Sequence, residues 1–332
     1  MGKKTYDVVG IGNAIVDILA NVREDFLKVN MLEKGSMQLV DEKESKKICS
    51  SVEIIEKNSG GSVANTIAGL ASLGSKAAFI GKVKEDEEGF AFEESLKGIG
   101  VTFNTKKSKD GPSTAHCVVL VTPDAQRTMN TCLGIAGKLC CDDIDSKLIE
   151  NARVVYLEGY LWDSREAKEA FLKAIKIAKK SGGKTALSLS DKFCVDCHRE
   201  DFLDLVRNHL DILFANEEEA KSLFETEDLD KAINKLKSID VISVITRSEK
   251  GSVIVNNGEE IEVEPEMPES VTDTTGAGDL YAAGFLHGLV KGYSLKTCGR
   301  IGSIVASDII NQFGARPKKP LAELLRSKNL NK

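Results

Sequence analysis

The second half of the chain alternates between short apolar, β-type runs and longer helix-type segments, and this alternation limits the possible folds more than any other feature. The predicted strands cover residues 154–157, 185–189, 212–214 and 241–246. The predicted helices cover residues 165–180, 201–207, 217–224, 229–236, 277–290 and 295–310. Parallel strands need long crossovers, which are usually helical. The pattern therefore predicts a three-layer α/β/α sandwich with a mostly parallel central sheet.

The first half of the chain adds to this sheet and then departs from the pattern. Predicted strands at 8–11 and 77–80 accompany a helix capped by Ser62 and a helix at 85–97. By contrast, residues 101–133 contain two β-type runs around a Pro123-Asp124 turn, which is typical of antiparallel strands. We therefore predict a small β-sheet lid. The predicted large α/β domain comprises residues 1–12, 51–100 and 133–332, and the predicted lid region comprises 13–50 and 101–132.

Charge and hydropathy exclude several classes of function. The net charge of -6 argues against a surface for nucleic acid or anionic membrane, since both need a concentrated basic field. We find no export signal and no apolar run long enough to span a bilayer, so we expect a cytoplasmic protein without a membrane partner. In that reducing compartment the eight cysteines are expected to be free thiols.

The segment from Asp273 to Asp279 carries the strongest chemical signal, because the sequence DTTGAGD opens a predicted helix. The glycines at 276 and 278, together with Ala277, allow backbone N–H groups to converge where the helix dipole favours an anion. Asp279 would lie beside that anion, where a carboxylate suits acceptance of a hydroxyl proton during phosphoryl transfer. The alternative is that Asp279 only complements the helix N-terminus.

A second set of residues could bind a polyol. The pair Gly60-Gly61 permits close approach of a ligand to the backbone, and Asn65 could direct its amide at sugar hydroxyls. Asn13 and Asp17 follow the first strand at its C-terminal end, where ligands of open parallel sheets bind. The alternatives are a hinge before a capped helix and ordinary polar loop residues.

Two further segments could serve a nucleotide. Asn216 and Glu219 share one helix face and could both address a hydrated Mg²⁺, although a capped helix start with acids in its first turn explains this cluster better when it is taken alone. The segment from Thr246 to Gly251 follows a strand and suits either a phosphate-contacting loop or a plain turn.

In order and spacing these motifs resemble those of the ribokinase-like PfkB carbohydrate kinases, over nearly the whole chain. The resemblance implies a kinase that uses ATP and Mg²⁺, with Asp279 as catalytic base and an anion hole at 276–278. It also implies a sugar held by Asn13, Asp17, Gly61 and Asn65, Mg²⁺ ordered through water by Asn216 and Glu219, and K⁺ near Asp273 and Thr275 in some members. Residues 34–37 and 126–129 look most similar to bacterial adenosine kinase-like members.

The sequence leaves several alternatives open. The substrate could be a nucleoside such as adenosine, or a sugar such as ribose or fructose, and the protein could be a monomer or a homodimer. A protein of another class, a sugar- or nucleotide-binding module without catalysis, would keep the pocket but would have no need of Asp279. Cys194, Cys197 and His198 match the form of a haem attachment site, for which the default interpretation is a pair of surface or half-buried thiols.

Overall fold

Two β-sheets organise the chain in the computed structural model, which describes residues 4–124 and 126–330. The strands are β1 (Tyr6–Ile11), β2 (Ile15–Asn21), β3 (Met37–Leu39), β4 (Ile54–Gly60), β5 (Ala77–Ile80), β6 (Thr102–Phe103), β7 (Ala115–Val121), β8 (Arg127–Cys132), β9 (Ala152–Glu158), β10 (Lys184–Ser188), β11 (Ile212–Asn216), β12 (Ile242–Thr246), β13 (Ser252–Asn256) and β14 (Glu259–Val263). The helices are α1 (Glu24–Val29), α2 (Glu42–Ser50), α3 (Ser62–Ser72), α4 (Glu87–Gly98), α5 (Ser146–Glu150), α6 (Arg165–Lys180), α7 (Lys192–Asn208), α8 (Glu217–Leu223), α9 (Leu229–Leu236), α10 (Ala277–Val290), α11 (Leu295–Ile309) and α12 (Leu321–Ser327).

The larger sheet has nine strands in the order β14-β13-β12-β11-β10-β9-β1-β5-β6. Its strands from β12 to β6 are parallel to their neighbours, whereas β13 and β14 add an antiparallel hairpin at one edge. The predicted fold class, an α/β sandwich with a mostly parallel central sheet, is confirmed.

Helices cover both faces of this sheet, and the strand sequences show why. Successive residues of a strand point to opposite faces. On β1, Val9 and Ile11 pack into one core with helices such as α6 and α7, while Val8 packs into the other core with α3, α10 and α11. A strand buried on both faces has no polar position, as in β5, whose four residues are all buried.

The smaller sheet has five strands in the order β3-β8-β7-β2-β4, and we refer to it as the lid. Its β7 and β8 pair antiparallel around the predicted turn. The remaining strands β2, β3 and β4 were not predicted from the sequence. A small apolar core that includes Leu27 and Ile48 packs α1 and α2 against this sheet.

Sheet membership departs from the predicted domain boundaries at two places. β4 pairs with β2 in the lid, although residues 51–100 are predicted to belong to the large domain. Its first four residues are exposed and include Glu56 and Lys57, a pattern that suits an edge strand and not a buried one. Conversely, β6 joins the central sheet, because Phe103 is buried beside Phe79 and Phe92. The division into a large domain and a lid region stays a prediction.

Helix α7 begins nine residues before the predicted 201–207 segment. The Asp191 side chain accepts a hydrogen bond from the backbone N–H of Cys194 and caps the helix, and His198 has non-helical dihedral angles at a kink inside it. Within the described ranges, every helix is too short or too polar to cross a membrane.

Candidate active site

Two helix N-termini and two strand ends meet where the lid faces the central sheet. The C-terminal ends of β1 and β9 bring Asn13 and Glu158 together, as expected for ligand sites in open parallel sheets. Helices α3 and α10 begin nearby, and their first turns are in hydrogen-bond contact. The lid contributes Asp17 from β2, Gly60 from β4 and Arg127 from β8. Segments far apart in sequence therefore form one site.

The carboxylate of Asp279 is held by the first turn of α3. Ser62 donates its hydroxyl to Oδ1 at 2.7 Å, and Asn65 donates its amide to Oδ2 at 3.0 Å. Thr66 donates its hydroxyl to the Asp279 carbonyl oxygen at 3.0 Å. The two motifs that the sequence places far apart, at 60–65 and 273–279, are thus in direct contact.

The prediction that Ser62 caps α3 is wrong. The N-cap residue is Gly61, which makes no side-chain cap, while the Ser62 hydroxyl is bonded to Asp279 instead. Gly61 has φ of 92°, and a Cβ there would lie 2.3 Å from the Asn13 carbonyl oxygen. Only glycine fits this position, since it combines a left-handed conformation with close backbone approach.

The predicted anion pocket would lie at the start of α10. Gly276 is its N-cap residue with φ of 80°, and a Cβ there would lie 2.4 Å from the Cβ of Ala315. The Asp273 carboxylate supports the turn by accepting hydrogen bonds from the N–H groups of Thr275 (3.0 Å) and Gly314 (2.8 Å). A Cβ on Gly278 would have no non-helical atom within 4 Å, so the space beside this turn is open.

Asn13 and Asp17 lie on the same side of the site but in different environments. Asp17 is on lid strand β2 and not in a loop, and its Oδ2 would lie 2.3 Å from a Cβ on Gly60. Asn13 is buried, and its amide Nδ2 donates to Glu158 Oε1 at 2.7 Å. The Oδ1 atom of Asn13 has no hydrogen-bond partner among the described residues.

Three residues of the candidate site were not predicted from the sequence. Glu158 accepts hydrogen bonds from Asn13 and from the backbone N–H of Val63, so it joins β9 to the start of α3. Arg127 places Nη2 2.7 Å from Asp273 Oδ2, and Arg316 places Nε 3.4 Å from Asn65 Oδ1. A charged residue at the end of a buried strand is a signal that could have identified Glu158.

Burial controls the ionisation of these groups. It raises the pKa of Asp279 to about 6, against the opposing hydrogen bonds from Asn65 and Ser62. It also raises the pKa of Asp17 to about 7, although the positive charges of Arg316 and Arg127 act in the opposite direction. The pKa of Glu158 likewise rises to about 7 through burial. Carboxyl groups with perturbed pKa values that lie close together are typical of functional sites.

The predicted nucleotide residues lie at the ends of β11 and β12. Asn216 Oδ1 accepts from the N–H of Glu219 at 2.8 Å, and both carboxylate oxygens of Glu219 accept from Asn216. This reciprocal arrangement is a capping box, and burial raises the pKa of Glu219 to about 7. The segment from Thr246 to Gly251 forms a turn closed by a 2.8 Å hydrogen bond from Arg247 N–H to the Gly251 carbonyl. Each of these two segments is still compatible either with a nucleotide contact or with a purely structural cap or turn.

The cysteine motif lies on α7, which packs against α8 through a hydrogen bond from the Ser222 hydroxyl to Asp196. Cys194 is buried, Cys197 is exposed, and both are free thiols, while the His198 ring is paired with Asp163. Among residues 4–124 and 126–330, no cluster of three or more His, Cys, Asp or Glu side chains has metal-binding geometry.

Comparison with known proteins agrees with this geometry. The family model described as pfkB family carbohydrate kinase matches residues 35–322. The solved structure of adenosine kinase from Sinorhizobium meliloti is 44% identical with a TM-score of 0.92, and the match covers 97% of this chain and 99% of that one. A probable sugar kinase from Rhizobium etli is 41% identical with a TM-score of 0.93, over 98% and 99% of the two chains.

Among curated proteins, the 5-dehydro-2-deoxygluconokinase of Halalkalibacterium halodurans is 28% identical over 274 residues, which is 80% of this chain and 83% of that protein. The family model, the two solved structures and this relative all describe kinases of sugars or nucleosides. The chain therefore belongs to the PfkB family of carbohydrate kinases and is a phosphotransferase that acts on a sugar or nucleoside.

Proposed function

We propose that the chain transfers the γ-phosphoryl group of ATP to a primary hydroxyl of a nucleoside, with adenosine as the leading candidate. The observation that carries this proposal is the pair of hydrogen bonds from Ser62 and Asn65 to the two oxygens of Asp279. They bring the polyol motif of α3 to a carboxylate at the mouth of the anion pocket. A pure binding module would have no use for a carboxylate there.

Asp279 is the proposed proton acceptor. The substrate oxygen forms a bond to the γ-phosphorus, the bond between that phosphorus and the β,γ-bridging oxygen breaks, and the hydroxyl proton passes to Asp279 while ADP leaves. A pKa of about 6 suits this role, because the carboxylate is ionised at neutral pH but remains a useful base.

The start of α10 is the proposed site of the transferred phosphoryl group. Backbone N–H groups of residues 276–278 and the helix dipole favour negative charge at this position. Arg127, whose Nη1 donates to the Thr275 hydroxyl at 3.3 Å, supplies a positive charge at the same turn. These groups would stabilise charge that develops during transfer.

The sugar end of the substrate is proposed to contact Asn13, Asp17, Gly60, Gly61 and Asn65. The unpaired Oδ1 of Asn13 would accept a hydrogen bond from a substrate hydroxyl. Asp17 lies against Gly60 on the lid, so a substrate there would contact both sheets. Closure of the lid over it would exclude water, which otherwise competes as acceptor.

Mg²⁺ would reach the site with the phosphates of ATP, as is usual for this cation. Asn216 and Glu219 already satisfy each other, so any contact with Mg²⁺ would run through water, and Thr246 and Gly251 would contact the nucleotide. K⁺ near Asp273 stays a prediction, and the ion pair of this carboxylate with Arg127 weakens the case for it. The cytoplasmic location and the choice between monomer and homodimer also stay predictions.

Adenosine leads because the solved adenosine kinase is 44% identical to this chain over nearly its whole length. An acidic sugar is the second candidate, and ribose or fructose would be further ones. Two guanidinium groups, those of Arg127 and Arg316, lie near Asp17, and a substrate carboxylate could use one of them. The curated relative that phosphorylates 5-dehydro-2-deoxygluconate points in the same direction.

A coupled ADP-release assay with Mg²⁺ and ATP distinguishes these candidates. The panel comprises adenosine, ribose, fructose and 5-dehydro-2-deoxygluconate, and we expect the highest kcat/KM with adenosine. A higher value with the acidic sugar would favour the second candidate. No acceptor-dependent ADP release with any panel member would contradict all four proposed substrates.

The Asp279→Ala variant tests the proposed base. We expect loss of at least about a hundredfold in kcat with nearly unchanged ATP affinity, since general base catalysis commonly contributes that much. Asp308→Ala, which alters a partly buried acid on α11 outside the site, is the matched control. Retention of more than about a tenth of the parent turnover by Asp279→Ala would contradict the assignment.

A further inference from the structure

Arg316 enters the active site from the segment that joins α11 to α12. Its Nη1 donates to the Ser95 hydroxyl at 2.9 Å, and its Nη2 lies 3.5 Å from the Gly60 carbonyl oxygen. Its guanidinium lies over the Phe92 ring, 5.8 Å from the ring centroid. One side chain therefore connects α4, lid strand β4 and the C-terminal part of the chain.

The remaining contact of Arg316 reaches Asn65, which also contacts Asp279. The Nε of Arg316 donates to Asn65 Oδ1 at 3.4 Å, and Asn65 Nδ2 donates to Asp279 Oδ2 at 3.0 Å. A guanidinium is only a donor and a carboxylate is only an acceptor. The amide of Asn65 must therefore direct its oxygen to Arg316 and its nitrogen to Asp279, and this charge pattern determines which way the amide is turned.

We propose that Arg316 is a positioning residue that holds the Asn65 amide in the orientation in which it donates to Asp279, so that the base is aligned for proton transfer. The proposal rests on the proposed function, since it assigns Asp279 the role of base. Arg316 itself would act through Asn65 and not on the reacting atoms.

Loss of Arg316 frees the Asn65 amide to turn over. Its oxygen would then face the carboxylate of Asp279, an arrangement of two acceptors that is repulsive. The hydrogen bond that lowers the pKa of Asp279 would be lost for part of the time. The catalytic base would be protonated more readily and held less firmly, so we expect kcat to fall.

Other titratable groups lie near Asp279, and none of them is substituted in this comparison. The neighbours of Asp279 are Asp17 on β2, Tyr156 and Glu158 on β9, and Tyr160, which follows β9. Arg316 also lowers the pKa of Asp17, so its removal raises the pKa of both acids. Both effects move the acidic limb of the kcat/KM profile to higher pH.

The first test compares Arg316→Met with the control Arg153→Met. Methionine retains an unbranched apolar stem but has neither charge nor N–H groups, and Arg153 lies outside the site with Asp7 and Val290 as partners. For Arg316→Met we expect kcat to fall at least about tenfold, with the acidic limb shifted to higher pH. We expect the control to match the parent in both. Parent-like values for Arg316→Met would overturn the proposal.

A double-mutant cycle with Asn65→Ala tests the route of the effect. If Arg316 acts through Asn65, Arg316→Met should lower kcat less than about threefold in the Asn65→Ala background. If the loss of kcat in the double variant equals the product of the two single-variant losses, the two residues act independently and the proposal is overturned.

If the unfolding temperature of Arg316→Met shows that this variant does not fold, Arg316→Lys replaces it in the test. Lysine keeps the charge but lacks the planar fork that reaches Asn65, Ser95 and Gly60 at once. We expect a reduced kcat that is again not additive with Asn65→Ala, and parent-like kcat for Arg316→Lys in that situation would overturn the proposal. An inactive parent would overturn the proposed function and this inference together, whereas an active parent with unaffected Arg316 variants would overturn this inference alone.

Discussion

A methyl group has room at Gly278 but not at Gly276. Alanine variants of these two glycines can therefore distinguish a requirement for folding from a requirement for phosphoryl binding at the proposed anion pocket. Gly276→Ala places a Cβ 2.4 Å from that of Ala315 at a φ of 80°, so we expect a loss of about 1–3 kcal/mol in the free energy of unfolding. Gly278→Ala meets open space in the first turn of α10, so we expect unchanged stability or a gain of up to about 1 kcal/mol. Chemical denaturation measures both.

Gly278→Ala is expected to be stable but to lose activity. The methyl group of Gly278→Ala occupies the space beside the amides proposed to hold the phosphoryl group, so we expect kcat to fall at least about tenfold although the fold is intact. A Gly278→Ala variant with parent-like kcat would place the phosphoryl group elsewhere.

Ser62 offers a further test at the scale of single residues. Its hydroxyl lowers the pKa of Asp279 from within α3, and it makes no cap whose loss would destabilise the helix. Because the base must be unprotonated, activity is lost as the pH falls through the pKa of Asp279, about 6 in the parent. In Ser62→Ala that pKa rises further, so we expect the acidic limb of kcat/KM to shift to higher pH.

The control for this shift is Ser294→Ala, which removes a hydroxyl that caps α11 outside the site. That variant should lose about 1 kcal/mol of stability but keep the parent pH profile. An unshifted limb in Ser62→Ala would contradict the assignment of Asp279 as the titrating base.

Among the secondary-structure elements, α8 depends on its capping box more than an ordinary helix does. Asn216→Ala removes the cap and also leaves the buried Glu219 carboxyl group without the side chain that it bonds. We expect a loss of about 2 kcal/mol or more in the free energy of unfolding. Asp228→Ala, which removes an exposed cap on α9, should cost only about 1 kcal/mol. Equal losses in the two variants would mean that Glu219 does not depend on Asn216.

The strand–helix alternation predicted the central sheet well because its strands, such as β5, are buried on both faces and read as apolar runs. Lid strand β4 gave no such signal, since its side chains are mostly exposed and its hydrogen-bond partner β2 lies more than thirty residues earlier. In the candidate site, the glycine patterns predicted two positions that have positive φ in the structure, Gly61 and Gly276. Arg316 was not predictable, because its role depends on Asn65, which is 251 positions away in sequence and adjacent only after folding.

Across the whole molecule, four carboxyl groups near the C-terminal edge of the central sheet have raised pKa values. Burial raises the pKa to about 7 in Asp17, Glu158 and Glu219, and to about 6 in Asp279. Each keeps its proton in the folded state at a pH at which the unfolded chain has lost it. At these four groups the folded state therefore binds more protons than the unfolded state between about pH 4 and pH 7. His287 acts in the opposite direction, because burial lowers its pKa to about 4, but one group offsets only part of the effect of four.

Linkage then predicts that stability falls as the pH rises through this interval, while activity rises. Each extra proton bound by the folded state contributes a slope of at most about 1.4 kcal/mol per pH unit. Denaturant unfolding of the ligand-free protein between about pH 5 and pH 7 should therefore give a decreasing free energy of unfolding. Acids with lowered pKa, such as Glu266, act only at lower pH, because they are ionised in both states over this interval.

Glu158→Gln is the variant that tests the origin of this slope. Glutamine does not titrate, so the variant should show a shallower decline between about pH 5 and pH 7, even though it is less stable overall because its amide opposes the N–H of Val63. Glu266→Gln, which alters a carboxylate paired with Lys328, should keep the parent slope. If Glu158→Gln keeps the parent slope of unfolding free energy against pH, Glu158 is already ionised in the folded protein over this interval. The three hydrogen bonds that it accepts would then have to offset the cost of burying its charge.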